Sequence, residues 1–178
     1  MEKSQIKGMV FAALFAALTG AVAWFKIPLP FTPVPITLQT LMVLLSGAML
    51  GAYFGALSMI IYLILGAIGL PVFAGGSSGI GALLGPTGGY LFSYPVAAFV
   101  IGHILQKKTK FMFSIILAML VGTLIIYAMG TIQGKFVTGL PWSAILVGWV
   151  LPFIIGDTLK LLLAAWISKS VDMKKYLN

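Results

Sequence analysis

"GLPVFAGGSSGIGALLGPTGGYL" (residues 69–91) contains eight glycines, two prolines and no charged residue, and it lies between two strongly apolar stretches. Hydrocarbon cannot hydrogen-bond an irregular backbone, so a segment of this kind beside membrane spans must pack on protein or line a cavity. The stretch therefore predicts a membrane protein in which a glycine-rich loop folds against the helices.

The composition of the whole chain also indicates a membrane protein. Of its 178 residues, 61% are hydrophobic and 8% are charged, whereas about 25% of the residues of a soluble domain are charged. The net charge of +8 comes from eleven lysines against Glu2, Asp157 and Asp172. Because the lysines cluster at the ends of apolar stretches, membrane lipid is the expected partner and nucleic acid is not. The absence of cysteine excludes disulfides and thiolate chemistry.

Six apolar segments long enough to cross a membrane follow one another. They lie at 7–25, 36–51, 53–69, 88–106, 111–131 and 142–169. The sequence thus predicts an all-α integral membrane protein with six transmembrane helices, in which residues 1–178 form a single domain with an outward substrate pocket. The first apolar run is longer than the hydrophobic part of a signal peptide, so we expect a retained helix.

The distribution of lysines predicts the orientation in the cell membrane. The opposite loops carry two, Lys26 and Lys135, while the termini and the turn after the fourth span carry eight: Lys3, Lys7, Lys107, Lys108, Lys110, Lys169, Lys174 and Lys175. Because cytoplasmic segments are enriched in lysine, both termini are expected in the cytoplasm. The long connections 26–40, 69–91 and 131–144 then face outward, and we expect them to pack over a binding site.

The segment "PFIIGDTLKLLLAAW" (152–166) places Asp157 inside the last span, with Lys160 three residues later on the same helix face. A charge at this depth costs at least about 2.5–3.5 kcal/mol on insertion scales and usually faces a bundle interior. Asp157 precedes Lys169 by about 18 Å of helix, which places it in the outer half of the bilayer. The pair is predicted to bind a small molecule beneath the outer loops. The alternative is a mutually neutralised pair that only locks helix packing.

Neutral polar and aromatic side chains complete the predicted pocket. The polar candidates are Thr37, Gln39, Ser77 and Ser78, and the candidate walls are Trp24, Phe73, Tyr90 and Tyr94. A ligand with N–H donors beside a carbonyl, such as a urea-like ring, would satisfy Asp157 and Lys160 together. We expect no enzyme activity and no metal site, because the sole histidine, His103, has no ligand partners and Ser58, Ser93 and Ser143 have no evident base.

Small residues recur along the first span. Gly8, Ala12, Ala16 and Gly20 form one ridge at every fourth position, and Ala13 and Ala17 lie beside it. Ridges of small side chains let membrane helices approach closely. The ridge is therefore interpreted either as packing within the bundle or as a docking surface for another membrane subunit.

Four segments, in this order along the chain, resemble the BioY family: "PVPITLQT" (33–40), "GLPVFAGG" (69–76), "GPTGGYL" (85–91) and "PFIIGDTLK" (152–160). Members of this family are the biotin-specific substrate-binding membrane subunits of energy-coupling factor (ECF) importers. The resemblance implies a six-helix bundle that captures biotin from outside and has no cofactor of its own. Its implied partners are a transmembrane coupling subunit of the EcfT type and two cytoplasmic ATPases, which perform the hydrolysis.

The resemblance also implies residue roles. Asp157 and Lys160 would hold the bicyclic ring of biotin, and Ala12, Ala13, Ala16 and Ala17 would dock on the coupling subunit. Ser77 and Leu91 stand where relatives often carry Asn and a basic residue. Lys160, Lys26 and backbone amides of the glycine loop, at Gly75 and Gly76, are thus the open candidates for binding the carboxylate. Two other functions also remain open: a binding subunit for another small vitamin, and a proton-coupled carrier that uses Asp157.

Overall fold

The computed structural model describes residues 3–106 and 111–171. Five of the lysines that predicted the orientation lie outside these described residues: Lys107, Lys108, Lys110, Lys174 and Lys175. In chain order, the elements are α1 (Lys3–Ala23), β1 (Lys26–Leu29), β2 (Thr32–Thr37), α2 (Gln39–Ala67), α3 (Ile80–Leu84), α4 (Gly88–Gln106), α5 (Met112–Thr138), α6 (Trp142–Trp149) and α7 (Ile154–Ser170). Short 3-10 turns lie at Ala74–Gly76 and Leu151–Phe153.

Within the described residues, five helical stretches are long and apolar enough to cross a membrane: Ser4–Ala23, Gln39–Ala67, Gly88–Gln106, Met112–Thr138 and Trp142–Ser170. The last of these comprises α6, a 3-10 turn and α7. The chain is therefore a multi-pass helical membrane protein, as predicted.

The second of these stretches is a helical hairpin. Gly51 has φ +80° and ψ −177°, a conformation that is accessible to glycine and strained for other residues. A Cβ added to Gly55 would lie 2.9 Å from the Ser46 carbonyl oxygen, although nine residues of continuous helix would separate the two by about 13 Å. Gln39 and Tyr62, from the two ends of α2, are joined by a 2.6 Å hydrogen bond. The two halves of α2 thus run antiparallel, and the six predicted segments are confirmed.

Two of the three long connections are structured. Residues 26–37 form a two-stranded antiparallel hairpin in which Lys26 pairs with Thr37 and Ile27 with Ile36. The glycine stretch contains α3 and a 3-10 turn.

The prediction of a long third connection at 131–144 is wrong, because α5 continues to Thr138 and α6 begins at Trp142. The polar residues that suggested a loop remain compatible with a helix. Thr131 and Thr138 donate to carbonyls one turn earlier, Tyr127 O and Gly134 O, both at 2.7 Å. The helix ends at Thr138, and the next residue, Gly139, has a φ of +70° that suits a left-handed C-cap.

The buried side chains form two clusters that divide the bundle along its length. The terminal end, where α1 begins and α7 ends, is filled mainly by aliphatic residues of α2, α4, α5 and α7, such as Leu50, Leu105 and Ala164. The loop end, beneath the hairpin and the glycine stretch, contains the buried aromatic residues Tyr62, Phe73, Tyr90, Tyr94, Trp149 and Phe153. One end is therefore densely packed, and the other is walled by large rings.

The small residues of α1 lie on two different faces. Gly8, Ala12, Ala16 and Gly20 are buried, with Gly8 against the Phe54 ring and Gly20 against Val72. Ala13 and Ala17 are exposed, because successive helical residues are rotated by about 100°. Ala12 and Ala16 are 0% and 1% exposed within the chain's own bundle. Of the four alanines predicted to dock on a partner, Ala12 and Ala16 thus pack inside this bundle, and Ala13 and Ala17 are exposed.

Candidate functional site

A cavity lies at the loop end of the bundle, among β2, α2, the glycine stretch, α4, α5 and α7. It contains about 680 Å³ of space, including its opening. Eight residues predicted from the sequence line it: Thr37, Gln39, Phe73, Ser77, Tyr90, Tyr94, Asp157 and Lys160. Five other candidates do not belong to its wall: Trp24, Lys26, Gly75, Gly76 and Ser78.

Asp157 and Lys160 form an ion pair in the cavity wall. Lys160 Nζ lies 2.8 Å from Asp157 Oδ1, and the two side chains are 12% and 9% exposed, respectively. Asp157 is in the first turn of α7, where the partial positive charge of a helix N-terminus favours a carboxylate. Because the two residues are three positions apart in a helix, their side chains lie on the same face of α7, as predicted.

Two residues that the sequence analysis did not single out complete the network. Thr40 Oγ1 donates to Asp157 Oδ1 at 3.2 Å and accepts from Lys160 Nζ at 3.2 Å. The Tyr127 hydroxyl donates to Asp157 Oδ2 at 2.6 Å. Thr40 ends the quoted segment 33–40, and Tyr127 is a hydroxyl-bearing residue in the middle of an apolar span. In the sequence, these positions are the only indications that Thr40 and Tyr127 belong to the site.

The network leaves specific hydrogen-bonding capacity for a ligand. A carboxylate has about four acceptor sites, and a lysine ammonium has three N–H donors. Among the described residues, Asp157 Oδ1 accepts two bonds, Asp157 Oδ2 accepts one, and Lys160 donates two. One acceptor site on Oδ2 and one N–H of Lys160 therefore remain, and both residues belong to the wall of the cavity.

Gln39 connects the hairpin to the aromatic wall. It accepts a 2.9 Å hydrogen bond from Thr37 Oγ1 and donates one of 2.6 Å to the Tyr62 hydroxyl. The Tyr62 ring packs edge-on against Phe73 and stacks on Tyr94, with centroids 5.5 and 6.4 Å apart. Gln39 thereby positions the rings as well as lining the cavity.

The glycine stretch is tied to its neighbours by hydrogen bonds. Gln133 Nε2 donates to Leu83 O and Gly85 O, both at 2.8 Å, and so attaches the stretch to α5. The Gly76 N–H donates to Phe73 O within the loop, so this amide does not bind an anion here. Gly75 lies directly beneath the Lys26 side chain, which a Cβ at this position would contact.

Tyr90 joins α4 to α6 through a 2.9 Å hydrogen bond from its hydroxyl to Trp149 O. Gly130 and Gly134 of α5 make room for the Tyr90 and Trp149 rings, respectively. This use of small residues in α5 resembles the helix packing predicted for α1.

The fold and the cavity define a class of protein: a multi-pass helical membrane protein with a small-molecule site between its spans and an ion pair in the wall of that site. The chain matches the BioY family over residues 1–175. It is 43% identical over 163 residues to the biotin transporter BioY of Thermotoga maritima, covering 92% of this chain and 94% of that one. It is 37% identical over 174 residues to the biotin transporter BioY of Rhizobium etli, covering 93% and 92%.

A solved structure shares the fold. The crystal structure of an S-component for biotin from an ECF-type ABC transporter superimposes with a TM-score of 0.89 at 32% identity, covering 96% of this chain and 93% of that one. The chain belongs to the BioY family, and the resemblance noted from its four segments is confirmed.

Proposed function

We propose that this chain is the biotin-binding membrane subunit of an ATP-dependent ECF-type importer. The observation that carries the proposal is the Asp157–Lys160 ion pair in the cavity wall, where each residue keeps hydrogen-bonding capacity for a ligand. The ureido ring of biotin offers N–H donors next to a carbonyl and so matches both groups. The names of its relatives, biotin transporters, support the same ligand.

The rest of the ligand requires an apolar wall and a partner for its carboxylate. Phe73, Tyr90 and Tyr94 supply apolar surface for the thioether ring and the alkyl chain. We assign the carboxylate to Lys26. Lys26 pairs with Thr37 across the hairpin, and cross-strand neighbours point to the same face. Thr37 lines the cavity and Lys26 does not, but a side chain as long as that of lysine on the same face would reach the rim.

The proposal includes partners and an orientation. The chain would work with a transmembrane coupling subunit and two cytoplasmic ATPases, as the description of its structural relative as part of an ECF-type ABC transporter suggests. The exposed face of α1, with Ala13 and Ala17, would contact the coupling subunit, since small side chains permit close helix approach. Both termini would lie in the cytoplasm of a cell-membrane protein, with the cavity opening outward.

Calorimetric titration of the purified protein with biotin, biotin amide and thiamine tests the ligand. We expect saturable binding of biotin, binding of the amide weaker by about tenfold because a charge-assisted bond is lost, and no binding of thiamine. Failure to bind biotin would overturn the proposal. Equal affinity for biotin and its amide would remove Lys26 from the site and leave the ureido assignment intact.

A further inference from the structure

A second cavity lies on the outer surface of the bundle, between α5 and the α6–α7 segment, and contains about 610 Å³ of space. Leu124 and Ile154 line it and are 57% and 44% exposed. Because both belong to membrane-spanning segments, the groove faces lipid. Its threonines donate to backbone carbonyls of their own helices, Thr123 to Met119 O and Thr158 to Ile154 O. The groove is therefore effectively apolar.

Tyr127 and Asp157 belong to the walls of both cavities. Their 2.6 Å hydrogen bond spans the gap between α5 and α7. On one side lies the candidate ligand site, and on the other lies the hydrocarbon of the bilayer. This residue pair is thus a partition between the two.

The partition has two parts with different tasks. The Tyr127 ring fills the gap between the helices, and a much smaller side chain would join the groove to the ligand cavity. The Tyr127 hydroxyl occupies one acceptor site of Asp157 Oδ2 and thereby fixes the carboxylate plane. With Lys160 and Thr40 bound to Oδ1, the remaining site of Oδ2 is held in one orientation.

We propose that Tyr127 is a positioning residue that seals the ligand cavity from lipid and orients Asp157 toward the ligand. The sealing function follows from the two cavities alone, while the orienting function rests on the proposed binding of biotin. In the sequence, only its position inside an apolar span distinguishes this tyrosine from the aromatic residues that anchor membrane proteins at interfaces.

Two variants separate the ring from the hydroxyl. Tyr127→Phe keeps the ring, and we expect it to fold normally and to bind biotin about tenfold more weakly, because a hydrogen bond to a charged group is lost. Tyr127→Ala opens the partition. Asp157 in this variant should react about tenfold faster with dicyclohexylcarbodiimide, a lipid-soluble carboxyl reagent, than in the wild type. Leu117→Ala is the matched control, since Leu117 is exposed on the same span but lies outside the groove, and its labelling rate should equal that of the wild type.

The labelled residue is identified by peptide mass spectrometry, which is simple because the chain has three acidic residues. Two results would overturn the proposal. One is that Asp157 in Tyr127→Ala is labelled at the same rate as in the wild type. The other is that Tyr127→Phe binds biotin with an affinity within about twofold of that of the wild type. If wild-type protein fails to bind biotin, the proposed function is wrong, and the labelling rates still decide whether Tyr127 seals the cavity.

Discussion

Asp157 illustrates how a charged residue is accommodated within a membrane span. Its carboxylate receives three hydrogen bonds, from Lys160, Thr40 and Tyr127. These bonds offset the cost of removing the charge from water, which is large for an unpaired ion. The charges themselves were recognisable in the sequence because ionisable residues are rare in apolar spans. Thr40 and Tyr127 were not, since they lie 117 and 30 residues from Asp157 along the chain.

At the residue scale, Asp157→Asn should weaken biotin binding by about 100-fold, because charge-assisted hydrogen bonds are roughly twice as strong as neutral ones. The variant also leaves Lys160 without its counter-charge, and breaking a buried pair costs about 3–5 kcal/mol of stability. Calorimetry measures the affinity, and thermal unfolding measures the stability.

The control is the double variant Asp157→Asn with Lys160→Met, which removes both charges and keeps their bulk. It should recover stability without recovering binding. Near-native affinity in a well-folded double variant would mean that the pair only stabilises helix packing and does not bind the ligand.

At the scale of elements, helical periodicity defines faces without identifying their neighbours. In α1, Ala16 and Ala13 differ by three positions, and both belong to the small residues that suggested a docking ridge. Ala16 is buried against the bundle, and Ala13 is exposed. In α5, Thr131, Gln133 and Thr138 lie within the connection predicted at 131–144, but their side chains bond to carbonyls of the helix or of the glycine stretch. Because these carbonyls accept hydrogen bonds from the polar side chains, the polar residues are compatible with a continuous helix.

The two faces of α1 predict opposite effects of the same substitution. Ala16→Leu should lower the stability of the isolated protein by about 1–3 kcal/mol, since extra methylene groups overpack a buried site. Ala13→Leu should leave stability and biotin affinity unchanged and reduce copurification with the coupling subunit. Thermal unfolding and pull-down of the complex measure the two effects. Normal assembly and transport by Ala13→Leu would indicate that this face contacts lipid.

At the scale of the whole molecule, the two ends of the bundle differ in composition. The terminal end is closed by packed aliphatic residues, and the loop end has aromatic residues around a cavity covered by the hairpin and the glycine stretch. The candidate ligand cavity therefore lies near the loop end, and the described residues of the terminal end are closely packed. This asymmetry is consistent with a binding subunit that relies on partners for transport.

The orientation of the whole molecule is testable by cysteine labelling, since the native chain contains no cysteine. Ser78 is exposed in the glycine stretch, and Ser78→Cys should react with a membrane-impermeant thiol reagent in intact cells. Thr109→Cys, which lies outside the described residues and between the predicted fourth and fifth spans, should react only after the cells are lysed. The reverse pattern would place the cavity on the cytoplasmic side.

The sequence by itself determined the number and order of the spans and the presence of Asp157 and Lys160 in the last one. These properties are local, because hydropathy and the rarity of charge in apolar spans depend on neighbouring residues alone. The sequence also predicted eight of the eighteen residues that line the cavity.

Only the tertiary structure decided which face of α1 is buried, that Gly75, Gly76 and Ser78 lie outside the cavity wall, and that Thr40 and Tyr127 complete the ion-pair network. Each of these depends on contacts between elements distant in sequence. Helical periodicity and composition leave several faces of a helix that could be buried. The close packing of neighbouring helices determines which face is buried.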